Sequence, residues 1–238
     1  MLRLVVMIIR VFFYIPGWLF NFHRFQNTSK YSLEERYHFI YRFVKVVVRN
    51  LNVKVETSGA EKLPKENGYL LTPNHQGLFD SLIIVETHTR PVSAVVKKEL
   101  LKVPIVKQII LILEAFPIDR SNLRGSMKVI KATSKGVEAG KNYIVFPEGT
   151  RSKNGNKLGE FKGGSFKIVI DAKAPIVPVA LINCFSVLDK NSLRRVNTEI
   201  HYLDPIYEEE YSSMSSAEIA LMVQKRIEDK IEDVQRNK

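Results

Sequence analysis

The spacing of apolar residues changes several times along this chain, and each change marks an element. From residue 1 to 22 they are nearly continuous, broken chiefly by Arg3 and Arg10. Over residues 33–49, His38, Arg42, Lys45 and Arg49 recur at helical steps while Tyr37, Ile40, Tyr41, Val44, Val47 and Val48 cover the other side, which predicts an amphipathic helix. Beyond residue 50 the period shortens. Val53-Lys54-Val55-Glu56-Thr57 alternates strictly. Tyr69-Leu70-Leu71-Thr72, Val92-Ser93-Ala94-Val95-Val96, Asn142-Tyr143-Ile144-Val145 and Ile176-Val177-Pro178-Val179-Ala180 read as buried strands. Between and after them, residues 122–139 and 163–172 read as crossover helices and 215–233 as a terminal amphipathic helix. Strands alternating with helices predict an α/β fold, a central, largely parallel or mixed sheet flanked by helices. The division expected is a helical region over residues 1–50 and an α/β domain over 51–238.

Residues 1–22 admit three readings. A signal peptide needs a small-residue cleavage site, which Tyr14-Ile15-Pro16-Gly17-Trp18 does not offer. A spanning helix would carry Arg10 near its middle, at about 2.5–3.5 kcal/mol on insertion scales. A helix lying in the interface places Arg3 and Arg10, seven apart, on one side, with Tyr14 and Trp18 at headgroup level. Charge bears on the partner. The chain carries a formal +11 over 238 residues, and its first fifty hold eight Lys or Arg against two acids, interleaved with large apolar side chains. That mixture suits an anionic lipid leaflet on the cytoplasmic face of a membrane better than nucleic acid. Residues 33–49 fit either a second docking helix or a core helix with a solvated basic face. Cys184, the single cysteine, excludes an intramolecular disulfide and reads as a small buried hydrophobe.

Candidate chemistry begins at Asn74-His75-Gln76-Gly77-Leu78-Phe79-Asp80. Pro73-Asn74 ends a strand, and Asp80-Ser81 opens an apolar helix that either residue is able to cap. His75 therefore falls on a loop leaving a strand, five residues before a carboxylate able to orient it. Taken alone the spacing is weak, since a loop histidine and a capping aspartate also account for it. Three further blocks add weight: Ala115-Phe116-Pro117-Ile118-Asp119-Arg120, Phe146-Pro147-Glu148-Gly149-Thr150-Arg151-Ser152, and Ala174 to Ala180 with its two prolines. No GxSxG elbow, GxxxxGK[ST] loop or HExxH helix is present.

In this order and spacing the four blocks, over roughly residues 68–183, resemble the 1-acylglycerol-3-phosphate acyltransferase (lysophosphatidic acid acyltransferase) family. Lys97-Lys98-Glu99-Leu100 with Pro104 is similar to the segment that follows the family's first block, and the helical start is similar to that of bacterial members. Two residues depart from the pattern: Glu114 and Lys107 stand where the family usually has glycine.

The resemblance implies transfer of a fatty acyl group from a thioester, acyl-CoA or acyl-carrier protein, to the sn-2 hydroxyl of lysophosphatidate, without metal or other cofactor. An alcohol is a poor nucleophile at neutral pH, so His75 would take its proton while Asp80 fixes the tautomer. Backbone N–H groups around Gly149 are candidates for the oxyanion. Arg151 and Arg120 would hold the phosphate through forked hydrogen bonds, with Gly149 admitting the backbone, Thr150 donating and Lys162 assisting. Glu148 would hold an arginine or touch the glycerol. Rival expectations are another acceptor such as glycerol-3-phosphate, a serine hydrolase using Ser165 or Ser81 with His75, and a membrane-binding protein without catalysis.

Overall fold

The computed structural model describes residues 2–188 and 192–237. In chain order the helices and strands are α1 (Leu2–Arg10), α2 (Ile15–Phe25), α3 (Leu33–Asn50), β1 (Val53–Ser58), β2 (Leu70–Pro73), α4 (Asp80–Thr87), β3 (Val92–Lys97), α5 (Pro104–Ile112), β4 (Phe116–Ile118), α6 (Leu123–Glu138), β5 (Asn142–Ile144), α7 (Lys167–Ala172), β6 (Ile176–Ile182), α8 (Phe185–Leu188), β7 (Val196–Tyr202), α9 (Glu208–Tyr211) and α10 (Ser216–Arg236). One seven-stranded sheet has the order β1-β7-β6-β2-β5-β3-β4. The strands from β6 to β4 run parallel, whereas β7 is antiparallel to β6 and carries β1 parallel to itself. The mixed α/β sheet is the one expected.

Alternate residues of the central strands feed two separate cores, as a period-two side-chain pattern requires. Leu71, Ile144, Val177, Val179 and Leu181 face α1–α5. Leu70, Tyr143, Val145, Ile176, Ala180 and Ile182 face α6, α7 and α10. Because the central strands are parallel, β2, β3, β4, β5 and β6 all deliver their outgoing loops to one end of the sheet. Open α/β sheets bind ligands at that end. Reversal of β1 and β7 brings the segments entering them to the same end.

The amino-terminal helices pack there. The apolar run of residues 1–22 is not one helix: α1 and the helical stretch Phe12–Phe25 meet at 58°. No single described helix is long and apolar enough to cross a membrane, although this bent pair passes a length-and-composition test. Arg3 does not reach outward as an interfacial arginine would. It is 2 % exposed and donates to Leu51 O at 2.6 Å, Asn52 O at 3.2 Å and Arg194 O at 2.6 Å, in the segments entering β1 and β7. Arg10 donates to Asn50 O at 3.3 Å. With both arginines turned to the protein, the outward side of the pair is apolar: Val5, Ile8, Ile9, Phe12, Leu19 and Phe20 are exposed, and Phe13 is 91 % exposed. Met7, Val11 and Phe22 pack inward on the core, so the pair is apolar on both its inner and its outer side.

Helix α3 is a core helix that leaves its basic face exposed. A Ser32–Glu35 capping box starts it. Tyr37, Ile40, Phe43, Val44, Val47 and Val48 are buried in the core, and His38, Arg42, Lys45 and Arg49 form an exposed stripe. Arg36, on the same helix, is buried and pairs with Glu114 at 2.9 Å. Glu114 also pairs with Lys141 at 2.7 Å while holding φ at 52°, the left-handed region that suits the glycine expected there.

Candidate active site

His75 leaves the end of β2 and Asp80 begins α4, as their sequence context predicts. Neither Asp80 nor Ser81 caps that helix, because Phe79 occupies the cap position. Asp80 turns back on the loop instead. Its Oδ2 lies 2.7 Å from His75 Nδ1 and accepts the N–H of Gln76 at 2.5 Å and of Gly77 at 2.9 Å. The side chain is fully buried, and burial pushes its carboxyl up from the ordinary range against these donors, the His75 bond foremost. An oxygen that already accepts two backbone N–H groups is an acceptor toward the ring as well. His75 Nδ1 therefore carries the proton and Nε2 is left as the basic nitrogen. The imidazole retains 22 % exposure and stacks on Phe146, with centroids 4.2 Å apart and planes inclined by 30°. Asp80 thus fixes the tautomer and Phe146 the plane of the ring.

Glu148 sits behind this pair. It is buried, and its two oxygens accept the N–H of His75 at 2.7 Å and of Gly159 at 3.0 Å. Burial raises its carboxyl above the ordinary range, with the two N–H donors opposing. The expected contact with an arginine or the glycerol meets a different geometry, a carboxylate clamp between two loops. Ser152 N donates to His75 O at 2.9 Å, so the β5 loop holds the histidine loop on both sides.

Gly149 follows with φ at 71°. A Cβ there would lie 3.7 Å from the Arg120 guanidinium carbon and 3.8 Å from Lys162 Cδ, which puts the Arg120 charge and the Lys162 stem beside the glycine. The Asp119-Arg120 block divides its labour. Asp119 bonds to Lys98 and to Ser121 N and Oγ, and the Lys98 hydrogen bond leads the causes that hold its carboxyl down to about 2. Arg120 is left to face Gly149. Thr150 is exposed in the same turn and Arg151 is half-buried beside Ser152. The Gly149 N–H donates to Phe146 O at 3.1 Å, so among the candidate oxyanion donors it is already engaged.

Sequence reasoning missed an amide network beneath the histidine. Asn74 donates to Leu181 O at 3.1 Å and accepts Leu181 N at 2.7 Å. Gln76 accepts Cys184 N at 2.9 Å and donates to Asn156, whose Oδ1 also accepts Asn183 N at 2.8 Å. This lattice ties the β2, β5 and β6 loops together. Its only sequence signal was the run of buried-type strand followed by Asn or Gln, which loops share. Cys184 is buried, and burial pushes its thiol well above the ordinary range, as a structural cysteine requires. No hydrogen bond among the described residues joins Ser81 or Ser165 to His75. Among the described residues no group of three or more His, Cys, Asp or Glu is arranged to hold a metal.

Comparison with known proteins bears on the same segment. The family model described as Acyltransferase matches residues 54–182, more than half of the chain. The chain belongs to the Acyltransferase family. A 1-acyl-sn-glycerol-3-phosphate acyltransferase of Borreliella burgdorferi is 28% identical over 148 residues, 62% of this chain and 59% of that protein. A probable 1-acyl-sn-glycerol-3-phosphate acyltransferase of Mycoplasma genitalium is 29% identical over 74% of this chain and 69% of its own length. One from Salmonella typhimurium is 29% identical over 76% of this chain and 74% of its own. The match thus spans about three fifths to three quarters of these relatives. The crystal structure of the 1-acyl-sn-glycerophosphate (LPA) acyltransferase, PlsC, from Thermotoga maritima superposes with a TM-score of 0.77 at 24% identity, covering 98% of this chain and 96% of that one. The fold is therefore shared from end to end, the bent amino-terminal helices included.

Proposed function

We propose that this acyltransferase moves a fatty acyl group from an acyl thioester to the sn-2 hydroxyl of 1-acylglycerol-3-phosphate, forming phosphatidic acid at the surface of a membrane. The observation that carries this reading is the conjunction of a buried Asp80 bonded at 2.7 Å to His75 Nδ1 with the Arg120 guanidinium and the Lys162 stem beside Gly149 in the adjoining loop. The first supplies a base and the second a seat for a phosphate monoester.

The acceptor hydroxyl attacks the thioester carbonyl while His75 Nε2 takes its proton. The tetrahedral oxyanion collapses, the carbon–sulfur bond breaks, and the imidazolium returns the proton to the departing thiolate, which leaves as a thiol. Asp80 keeps the imidazole oriented and stabilises its charged form. Arg120 and Lys162 bind the acceptor phosphate, Arg151 and Thr150 adding to the same loop, and Glu148 acts through the backbone by holding His75 in place. The acyl donor is acyl-CoA or acyl-carrier protein, and the mechanism calls on no metal or other cofactor.

The region 1–50 docks the enzyme. The outward apolar surface of this stretch supports this: burying Arg3 while leaving Ile9, Phe12, Phe13, Leu19 and Phe20 exposed has no reason against water. The exposed basic stripe of α3 suits anionic headgroups. Because α1 packs at the outgoing-loop end of the sheet, docking brings His75 to the lipid interface. A cytosolic thioester donor places this on the cytoplasmic face of the cell membrane. Purified protein in anionic vesicles containing lysophosphatidate, supplied with each donor in turn, should form phosphatidate with the new chain at sn-2. Release of free fatty acid instead, or preference for glycerol-3-phosphate, would contradict the assignment.

A further inference from the structure

Helix α6 carries Arg124, Lys128, Lys131 and Lys135 at steps of four, three and four, all exposed, and its one acidic residue is Glu138 in the last turn. None of the four has an ion-pair partner among the described residues. Helix α10 behaves in the opposite way. There Lys225, Lys230 and Arg236 pair with Asp229, Asp233 and Glu232 on the same helix, and Arg226 pairs with Glu210. The α6 pattern opposes helix physics as well: like charges stand at adjacent-turn spacings, and Arg124 lies in the first turn, where the helix dipole disfavours a cation. Leu123, 75 % exposed, and Met127, 59 % exposed, flank the start of the stripe one turn apart.

Position narrows what this face receives. Helix α6 begins three residues after Arg120, at the rim of the site, and crosses back to β5, so its stripe leads away from that rim. From Arg124 to Lys135 it covers about 16 Å at the helical rise. It packs on the sheet face opposite α1–α5. A bilayer docked at the apolar α1–α2 surface meets one end of α6 and not its length. A nucleotide phosphate cluster engages a few cations at one spot and has no use for the remainder, nor for two exposed apolar side chains. A macromolecule with an acidic amphipathic helix matches the whole stripe: carboxylates along the cations, apolar residues on Leu123 and Met127.

We propose that the α6 face is the docking surface for an acidic carrier protein that presents the acyl thioester on a flexible arm, the arm entering the site past Arg120. The inference rests on the acyl-transfer reading and chooses between its two donors. The test uses the full chain, wild type and the double variant Lys128→Glu/Lys131→Glu, in anionic vesicles with lysophosphatidate. Both residues are exposed and outside the site, and matching thermal unfolding curves establish that the fold is kept. With acyl-carrier protein as donor, kcat/KM should fall at least tenfold in the variant and the wild-type value should fall steeply with salt, whereas kcat/KM with acyl-CoA stays within about twofold. Fluorescence anisotropy of labelled holo carrier protein should show binding to wild type and loss of binding in the variant. An equal fall with both donors, reduced vesicle sedimentation of the variant, or a wild-type enzyme indifferent to the carrier protein would each overturn the proposal. Absence of phosphatidate from either donor with wild type would instead strike the acyl-transfer reading itself.

Discussion

Glu148→Gln separates a residue that touches substrate from one that holds the catalytic loop. The native carboxylate accepts two backbone N–H groups, from His75 at 2.7 Å and Gly159 at 3.0 Å, inside the protein. A glutamine of the same shape offers one oxygen and one NH2, so one N–H loses its acceptor and faces a donor. An orphaned buried donor costs about 1–3 kcal/mol, and the charge-assisted character of the other bond is lost as well, for a total of about 2–4 kcal/mol. Part of that will be relieved by the His75 loop moving away. A displacement of about 1 Å at a catalytic base lowers turnover by about 10²-fold. Urea unfolding should therefore show a loss of about 2–4 kcal/mol. In the acylation assay kcat should drop about a hundredfold while KM for lysophosphatidate stays within about twofold. Gly159→Ala is an independent route to the same defect, since its Cβ would lie 2.7 Å from Glu148 Oε2. A Glu148→Gln enzyme with kcat intact and KM for lysophosphatidate raised about tenfold would refute the clamp and return Glu148 to the acceptor site.

Arg120→Ala and Lys162→Ala should each raise KM for lysophosphatidate more than KM for the thioester, and Arg151→Lys should restore only part of what Arg151→Ala loses, because an ammonium cannot reproduce the guanidinium fork; a defect confined to donor KM would move these cations to the other substrate. Phe13→Asp/Phe20→Asp in the full chain should abolish sedimentation with anionic vesicles and spare the fold, whereas deletion of residues 1–50 would strip Tyr37, Ile40, Val44 and Val47 from the core and is not a clean test; unchanged vesicle binding would relocate the docking surface. His88 is fully buried, bonded through Nδ1 to Arg90 O at 2.8 Å and through Nε2 to the Tyr69 hydroxyl at 2.7 Å, and burial holds it down to about 4. The unfolded chain binds a proton at this residue between about pH 6.5 and 4 that the native chain does not, so its contribution is intact above pH 6.5 and lost as pH falls, by roughly 2 kcal/mol at pH 5. Urea midpoints at pH 7 and pH 5 should show that loss in wild type and lack it in His88→Gln; equal losses would exclude His88 as the source.

Most of the fold was written in periodicities. The alternating and buried runs became β1, β2, β3, β5 and β6, and the helices expected over 33–49 and 122–139 formed at Leu33–Asn50 and Leu123–Glu138. Strand β7, Val196–Tyr202, escaped because Asn197, Glu199 and His201 look like a solvent-facing set, yet Glu199 and His201 are buried and bonded to each other. Strand β4 is three residues long and includes Pro117, too short and too interrupted to carry a period. At the site, local context placed His75 at a strand end and Asp80 at a helix start, while the gathering of Arg120, Gly149 and Lys162 was legible only through the family resemblance. Neither was enough for Glu148, Asn74, Gln76 and Asn156. Their partners are backbone groups or amides from loops distant in sequence, and nothing in a residue's type says which backbone it will hold. The inward turn of Arg3 was likewise illegible, since an amphipathic pattern does not state which face meets the protein.

The central claim is that His75, set by Asp80, is the base that deprotonates the acceptor hydroxyl. Its most direct test is the rate of phosphatidate formation by folded His75→Ala at saturating lysophosphatidate and thioester, with Asp80→Asn alongside. His75→Ala should lower that rate by about 10²–10⁴ with both substrates still bound, and Asp80→Asn should lower it as well through loss of the tautomer that Oδ2 fixes. A His75→Ala protein that keeps its fold and turns over at close to the wild-type rate would contradict it.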